Sequence, residues 1–170
     1  MKKLFLAVAL AAVLLTGCSE STVEKVDGDE PKQEAKQEQK QETFKVGDTV
    51  KFDGLNVTLS KVRESKGDGF MKPKNDKFLV VQLEIENKTD KAETVSSLLQ
   101  MKLVDNEGVS MDVTITGDEK GQLDGEIGPG RKMKGEVAFD VTKADYYEFI
   151  FENPITTGQA IWKINKDDIK

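Results

Sequence analysis

The stretch Lys77-Phe78-Leu79-Val80-Val81-Gln82-Leu83-Glu84-Ile85-Glu86 limits most strongly what this chain can fold into. Leu79, Val81, Leu83 and Ile85 fall on one side of an extended chain, and Gln82, Glu84 and Glu86 fall on the other. Successive side chains of a strand point to opposite faces, so a period of two describes a strand with one buried and one wetted face. The rhythm recurs throughout the chain beyond Phe44. Residues 49–52 and 55–62 flank Asp53-Gly54, a tight-turn dipeptide, and predict a hairpin. Leu55, Val57 and Leu59 alternate while Val62 is out of phase, which predicts a bulge or a strand end near Lys61.

Leu99, Met101 and Leu103 form a further inward set, and residues 105–108 read as a reversal before a strand over 109–115. In Gly128-Pro129-Gly130, proline presets φ and the second glycine accepts the positive φ of a type II turn. Met133, Val137, Phe139 and Val141 follow at even spacing, and the last two strands, 146–151 and 159–164, are split by Asn153-Pro154. Short helical turns fit residues 96–99 and 142–145. Seven or eight short antiparallel strands with almost no helical period predict an all-β protein, a β-sandwich.

The amino-terminal region has a different character. Met1-Lys2-Lys3 precedes twelve unbroken apolar residues, Leu4 to Leu15, the layout of a secretory signal. As a helix those residues reach only ~18 Å, short of the ~30 Å hydrocarbon core that a permanent span must cross. Thr16 and Gly17 supply small side chains before Cys18, the one cysteine in 170 residues. Leu15-Thr16-Gly17-Cys18 resembles a bacterial lipobox, which implies cleavage between Gly17 and Cys18 and a diacylglyceryl thioether on the Cys18 sulfur. A thiolate is the side chain nucleophilic enough for that bond, and two acyl chains hold a protein to a bilayer far better than one.

Between this signal, residues 1–17, and Phe44 the sequence offers no core. Residues 18–43 carry a four-residue rhythm, EPKQ-EAKQ-EQKQ-E, that on a helix would stack Glu30, Glu34, Glu38 and Glu42 in one column. Like charges would meet at i,i+4, so the segment is expected to be a disordered, solvated tether, about 25–30 Å in r.m.s. span. Loss of the signal leaves 23 basic against 31 acidic side chains, a charge of −8, which argues against a nucleic-acid partner. It also argues against broad electrostatic docking on anionic lipid, so the membrane partner is reached through the covalent lipid on Cys18.

Several short motifs carry a family resemblance. Phe44-Lys45-Val46-Gly47-Asp48-Thr49-Val50, the strand ending Glu86-Asn87-Lys88-Thr89, Leu103-Val104-Asp105 with Gly108, and Gly128-Pro129-Gly130 leading to residues 135–141 occur in order. The chain over 44–164 resembles bacterial lipoproteins carrying domain of unknown function 4352, similar in fold to a secreted mycobacterial immunogenic protein. The resemblance implies an immunoglobulin-like sandwich, placed here at 44–170, and a location on the extracytoplasmic face of the cell membrane of a Gram-positive bacterium. It brings no catalytic residues.

The chain has no histidine, which removes imidazole metal sites, the Ser-His-Asp and Cys-His nucleophiles, and the commonest general base. No phosphate-binding glycine loop occurs. No cofactor, metal or catalytic residue is therefore expected. An enzyme working with carboxylates alone, or an envelope stress or assembly factor without a tight ligand, are the alternatives to a binding module. Residues 117–126 mix acids with glycines, but Lys120 and Leu123 stand where a calcium loop wants oxygen ligands.

Two candidate surfaces stand out. Residues 64–76 connect two strands and place Phe70 and Met71 among Lys66, Lys72 and Lys74, which reads either as a partner-binding patch or as a Phe70 tucked beneath the loop. The partner would be an envelope protein, a wall polymer or a small ligand. Tyr147, Phe149 and Phe151 alternate on one strand face, with Tyr146 opposite, so the aromatic triplet is expected in the core together with Trp162.

Overall fold

A computed structural model describes residues 23–25 and 42–170. The expectations for the signal, for Gly17 and Cys18, and for most of the charged segment lie outside the described residues. The strands are β1 (Val23–Lys25), β2 (Thr43–Lys45), β3 (Thr49–Phe52), β4 (Leu55–Ser65), β5 (Lys77–Asn87) and β6 (Glu93–Val95). A single helical turn, α1 (Ser97–Gln100), precedes β7 (Met101–Asp105), β8 (Ser110–Thr114), β9 (Gly125–Ile127), β10 (Lys132–Val141), β11 (Tyr146–Glu152) and β12 (Gln159–Asn165). A short 3₁₀ turn, Lys166–Asp168, follows.

The hydrogen-bonded order is β1-β3-β4-β5-β10-β8-β7-β11-β12-β2, with β6-β9 as a separate pair. Strand β8 joins the layers: it pairs with β10 through Thr114 and Val113 and with β7 through residues 110–112. The two faces then close on one another as a sandwich. Val57, Leu59, Leu79, Val81, Leu83, Ile85 and Phe139 line one layer and Leu103, Phe149, Phe151, Ala160, Trp162 and Ile164 the other, all fully buried. Phe52 meets Phe151 edge-on at 5.5 Å between ring centroids, and Phe139 meets Phe149 at 6.2 Å. Such tilted aromatic pairs contribute about 0.5–1.5 kcal/mol beyond the area they bury.

The bulge falls where the phase of Val62 places it. Leu59 faces Leu83 and Lys61 faces Gln82, so Ser60 is the extra residue, and Val62 returns to the inner face as the strand runs on to Ser65. Arg131 N–H donates to the Gly128 carbonyl at 3.1 Å and Gly130 has φ +66°, the geometry of a proline-glycine reversal.

Four features depart from the sequence reading. Leu99 belongs to α1 and is 64% exposed, because the helical turn breaks the alternation that begins properly at Met101. Residues 142–145 are not helical: the N–H groups of Lys143 and Asp145 donate to Asp76 Oδ2 and Asn106 Oδ1, and the Thr142 carbonyl accepts the Tyr147 hydroxyl. Strand β2 is parallel to β12, so the sandwich is not wholly antiparallel, and four three-residue strands raise the count above eight. Finally, Val23–Lys25 is not free tether. It pairs with β3, Val23 opposite Phe52 and Lys25 opposite Val50, and Val23 packs on the core.

The strands define two ends. Leu55 faces Asn87 and Lys132 faces Glu86, so the turns at 53–54, 88–92 and 128–131 share one end. Ser65 faces Phe78 and Val141 faces Lys77, which puts residues 66–76 and 142–145 at the other. At that second end Ile169 bridges Val62 and Lys170 N–H donates to the Val62 carbonyl, so the carboxyl terminus fills the part of the β4 edge that β3 leaves open.

Candidate functional site

The connection from β4 to β5 is fastened at three places. Asp68 Oδ1 accepts the N–H groups of Phe70 and Met71 at 2.9 and 2.8 Å, and Asp68 N–H donates to the Thr116 carbonyl. Asp140 accepts Lys74 N–H at 2.7 Å and Asn75 N–H at 3.0 Å. A side-chain carboxylate that caps successive N–H groups holds a loop in a turn without a ladder. Gly67 has φ +81°, and a Cβ there would collide with the Met71 carbonyl, so the chain doubles back too tightly for any other residue.

Beneath the loop lies a charged cluster formed by residues distant in sequence. Arg63 Nη1 donates to Asp118 Oδ2 at 3.0 Å, and Nη2 donates to Asp118 O at 3.1 Å and to Glu136 Oε2 at 2.8 Å. Ser65 Oγ also donates to Asp118 Oδ2 and accepts Gly67 N–H, which ties the cluster to the start of the loop. The Glu136 bond, then Asp118, raises the Arg63 pKa, so the guanidinium stays charged. The Thr116 hydroxyl, with Ser65 and Arg63, holds the Asp118 carboxyl below its ordinary range.

This platform leaves Phe70 94% and Met71 44% exposed. Phe70 does not tuck beneath the loop; Phe78 occupies that place, 2% exposed and next to Gly67. Lys66, Lys72 and Lys74 are exposed around the tip, and none of the ion pairs among the described residues involves them. The result is an apolar tip with a cationic rim. A shallow depression of about 210 Å³ at the same end, lined partly by Lys77, Lys143, Tyr147 and Lys166, is smaller than the roughly 300–1,000 Å³ of small-molecule sites.

The other candidates have structural roles. Glu119 accepts the N–H groups of Thr116 and Gly117, Asp124 accepts Ser97 N–H and Oγ, and Leu123 is buried, so the 117–126 loop uses its oxygens internally. Tyr147, Phe149, Phe151 and Trp162 are core, and Trp162 Nε1 donates to the Asp48 carbonyl. Tyr146 lies on the outer face with Lys163 Nζ 3.8 Å from its ring centroid. The sequence reading missed Arg63, Asp118 and Glu136. No local pattern marked them: Lys132, Lys134 and Asp140 share the outward phase of β10, so Glu136 read as one more solvated charge although it is 9% exposed.

A family model for the domain of unknown function DUF4352 matches residues 44–161. The chain belongs to that family. An uncharacterized protein of Bacillus subtilis, YxkC, is 30% identical over 120 residues, covering 62% of this chain and 67% of its own. Two Bacillus subtilis structures are similar in fold: yjhA, at TM-score 0.57 and 20% identity over 72% of this chain and 100% of its own, and the lipoprotein candidate ycdA, at 0.57 and 23% over 68% and 38%. The secreted Mycobacterium tuberculosis protein MPT63 matches at TM-score 0.50 and 16% identity over 68% of this chain and 83% of its own.

Proposed function

We propose that this DUF4352 protein is a lipid-anchored, extracytoplasmic and non-catalytic binding module. Phe70 and Met71, rimmed by Lys72 and Lys74, form its contact with an envelope partner that offers an apolar pocket edged by acidic groups. The observation that carries the reading is the 94% exposure of Phe70 on a loop fixed by Asp68 and Asp140. A large apolar side chain presented on a fastened backbone needs no loop ordering on docking, which favours a binding hot spot.

The anchor rests on Leu15-Thr16-Gly17-Cys18, and a lipoprotein candidate and a secreted protein with the same fold fit that location. The acids near the tip support a non-catalytic role: Asp68, Asp118, Glu136 and Asp140 each accept hydrogen bonds that hold loops. Photo-crosslinking from position 70 on intact cells tests the contact. A discrete adduct that Phe70→Ala weakens in competition is the expected result; no adduct, or one indifferent to Phe70, overturns it.

A further inference from the structure

Strand β1 fixes which end of the sandwich faces the bilayer. It runs antiparallel to β3, with Val23 opposite Phe52 at the hairpin end and Lys25 further up, so the chain preceding Val23 leaves from the end that carries the 53–54 turn. Four residues, and so five Cα steps, separate Val23 from Cys18. Even fully extended they reach only about 18 Å, whereas an eleven-residue strand such as β5 is roughly 36 Å long. A lipid on Cys18 therefore sits close to the hairpin end, and the 26–42 segment with its charged repeats connects β1 to β2 instead of spacing the domain from the membrane.

The hairpin end has a surface suited to a bilayer. Asn153 Nδ2 donates to Asp53 Oδ2 at 2.9 Å, and Phe52 packs on Phe151, so the turn between β11 and β12 is fastened beside β3 and β1. Asn153 Oδ1 accepts Ile155 N–H at 2.9 Å, and this turn holds Ile155 out, 92% exposed beside an exposed Pro154. The adjoining turn is bound to the same place through Lys88 N–H and the Gly54 carbonyl. Lys88, Lys91, Arg131 and Lys132 there balance Asp53, Glu86, Asp90 and Glu93, so this end is locally neutral in a mature chain whose charge is −8. An exposed apolar tip on a surface that carries no net negative charge can enter the interface of a bilayer without like-charge repulsion from anionic lipid.

We infer that the Pro154-Ile155 tip and its neighbouring lysines rest on the bilayer, and that the domain stands end-on with Phe70 directed away from the membrane. The inference rests on the lipid anchor at Cys18 and extends it to an orientation. Because Cys18 is acylated, Ile155→Cys and Phe70→Cys each provide one free thiol for an environment-sensitive fluorophore. The labelled full-length lipoproteins are placed in phosphatidylcholine/phosphatidylglycerol vesicles containing spin-labelled lipid. Quenching at position 155 should exceed that at position 70 several-fold, and Val23→Asp, which breaks β1 pairing, should reduce it while vesicle association persists. Equal quenching at both positions, greater quenching at 70, or none at either overturns the orientation. Failure of the protein to associate with vesicles, or association unaltered in Cys18→Ser, overturns the anchor itself.

Discussion

Arg63 Nη2 lies 2.8 Å from Glu136 Oε2, although 73 residues separate them. Through this contact and the pair of bonds to Asp118, the outer face of β4 and β10 is stapled to the 116–122 loop that in turn receives Asp68. The Glu136 side chain is 5% exposed, so its charge depends on the guanidinium for solvation. Arg63→Ala should cost about 2–4 kcal/mol, measured by urea unfolding, because the buried Glu136 carboxylate loses its charged partner and keeps only the Lys120 N–H. Glu136→Gln keeps an acceptor and should cost less.

The acid limb of stability should depend on Asp118. Its carboxyl binds a proton less readily in the folded protein than in the unfolded chain, so it stabilises the fold above its ordinary value of 3.8. That contribution is lost as pH falls through the depressed folded value. Urea midpoints followed from about pH 7 down to pH 3 should fall less steeply in Asp118→Asn than in the parent.

Gly67→Ala should open the loop without unfolding the sandwich. The added Cβ meets the Met71 carbonyl at a φ of +81°, a conformation that costs of order 1–3 kcal/mol for a non-glycine residue. Trypsin should cut after Lys66 and Lys74 several-fold faster in the variant, while the far-ultraviolet circular dichroism stays that of a β protein.

Phe70→Ala and Phe149→Ala should behave oppositely. Phe70 is 94% exposed, so its removal should change stability by less than about 0.5 kcal/mol. Phe149 lies between Phe139 and Trp162, fully buried, and its removal should cost about 3–5 kcal/mol. Thermal unfolding of the two variants side by side checks both.

The layers were readable because alternation records burial one strand at a time. The phase error at Val62 located the Ser60 bulge, and Gly128-Pro129-Gly130 located its turn. Val23–Lys25 was not readable: it has one apolar side chain, and its partner β3 lies 24 or more residues downstream. The Arg63 cluster was hidden for the same reason, since charges 55 and 73 residues apart have no local signature. The helical turn expected at 142–145 failed because Asp76 and Asn106, from other loops, capture its N–H groups. At the candidate site, composition marked the tip, but only the placement of Phe78 decided that Phe70 stays in water.

Lys170 N–H donates to the Val62 carbonyl and Glu64 N–H donates to the Lys170 carbonyl, so residues 169–170 complete the edge of β4. A seam between segments more than a hundred residues apart carries a large loop-closure entropy, so it forms after the neighbouring hairpins have assembled. Locking that margin is then a late event, and weakening residues 169–170 should fray β4 near Val62 before it disturbs the sandwich core.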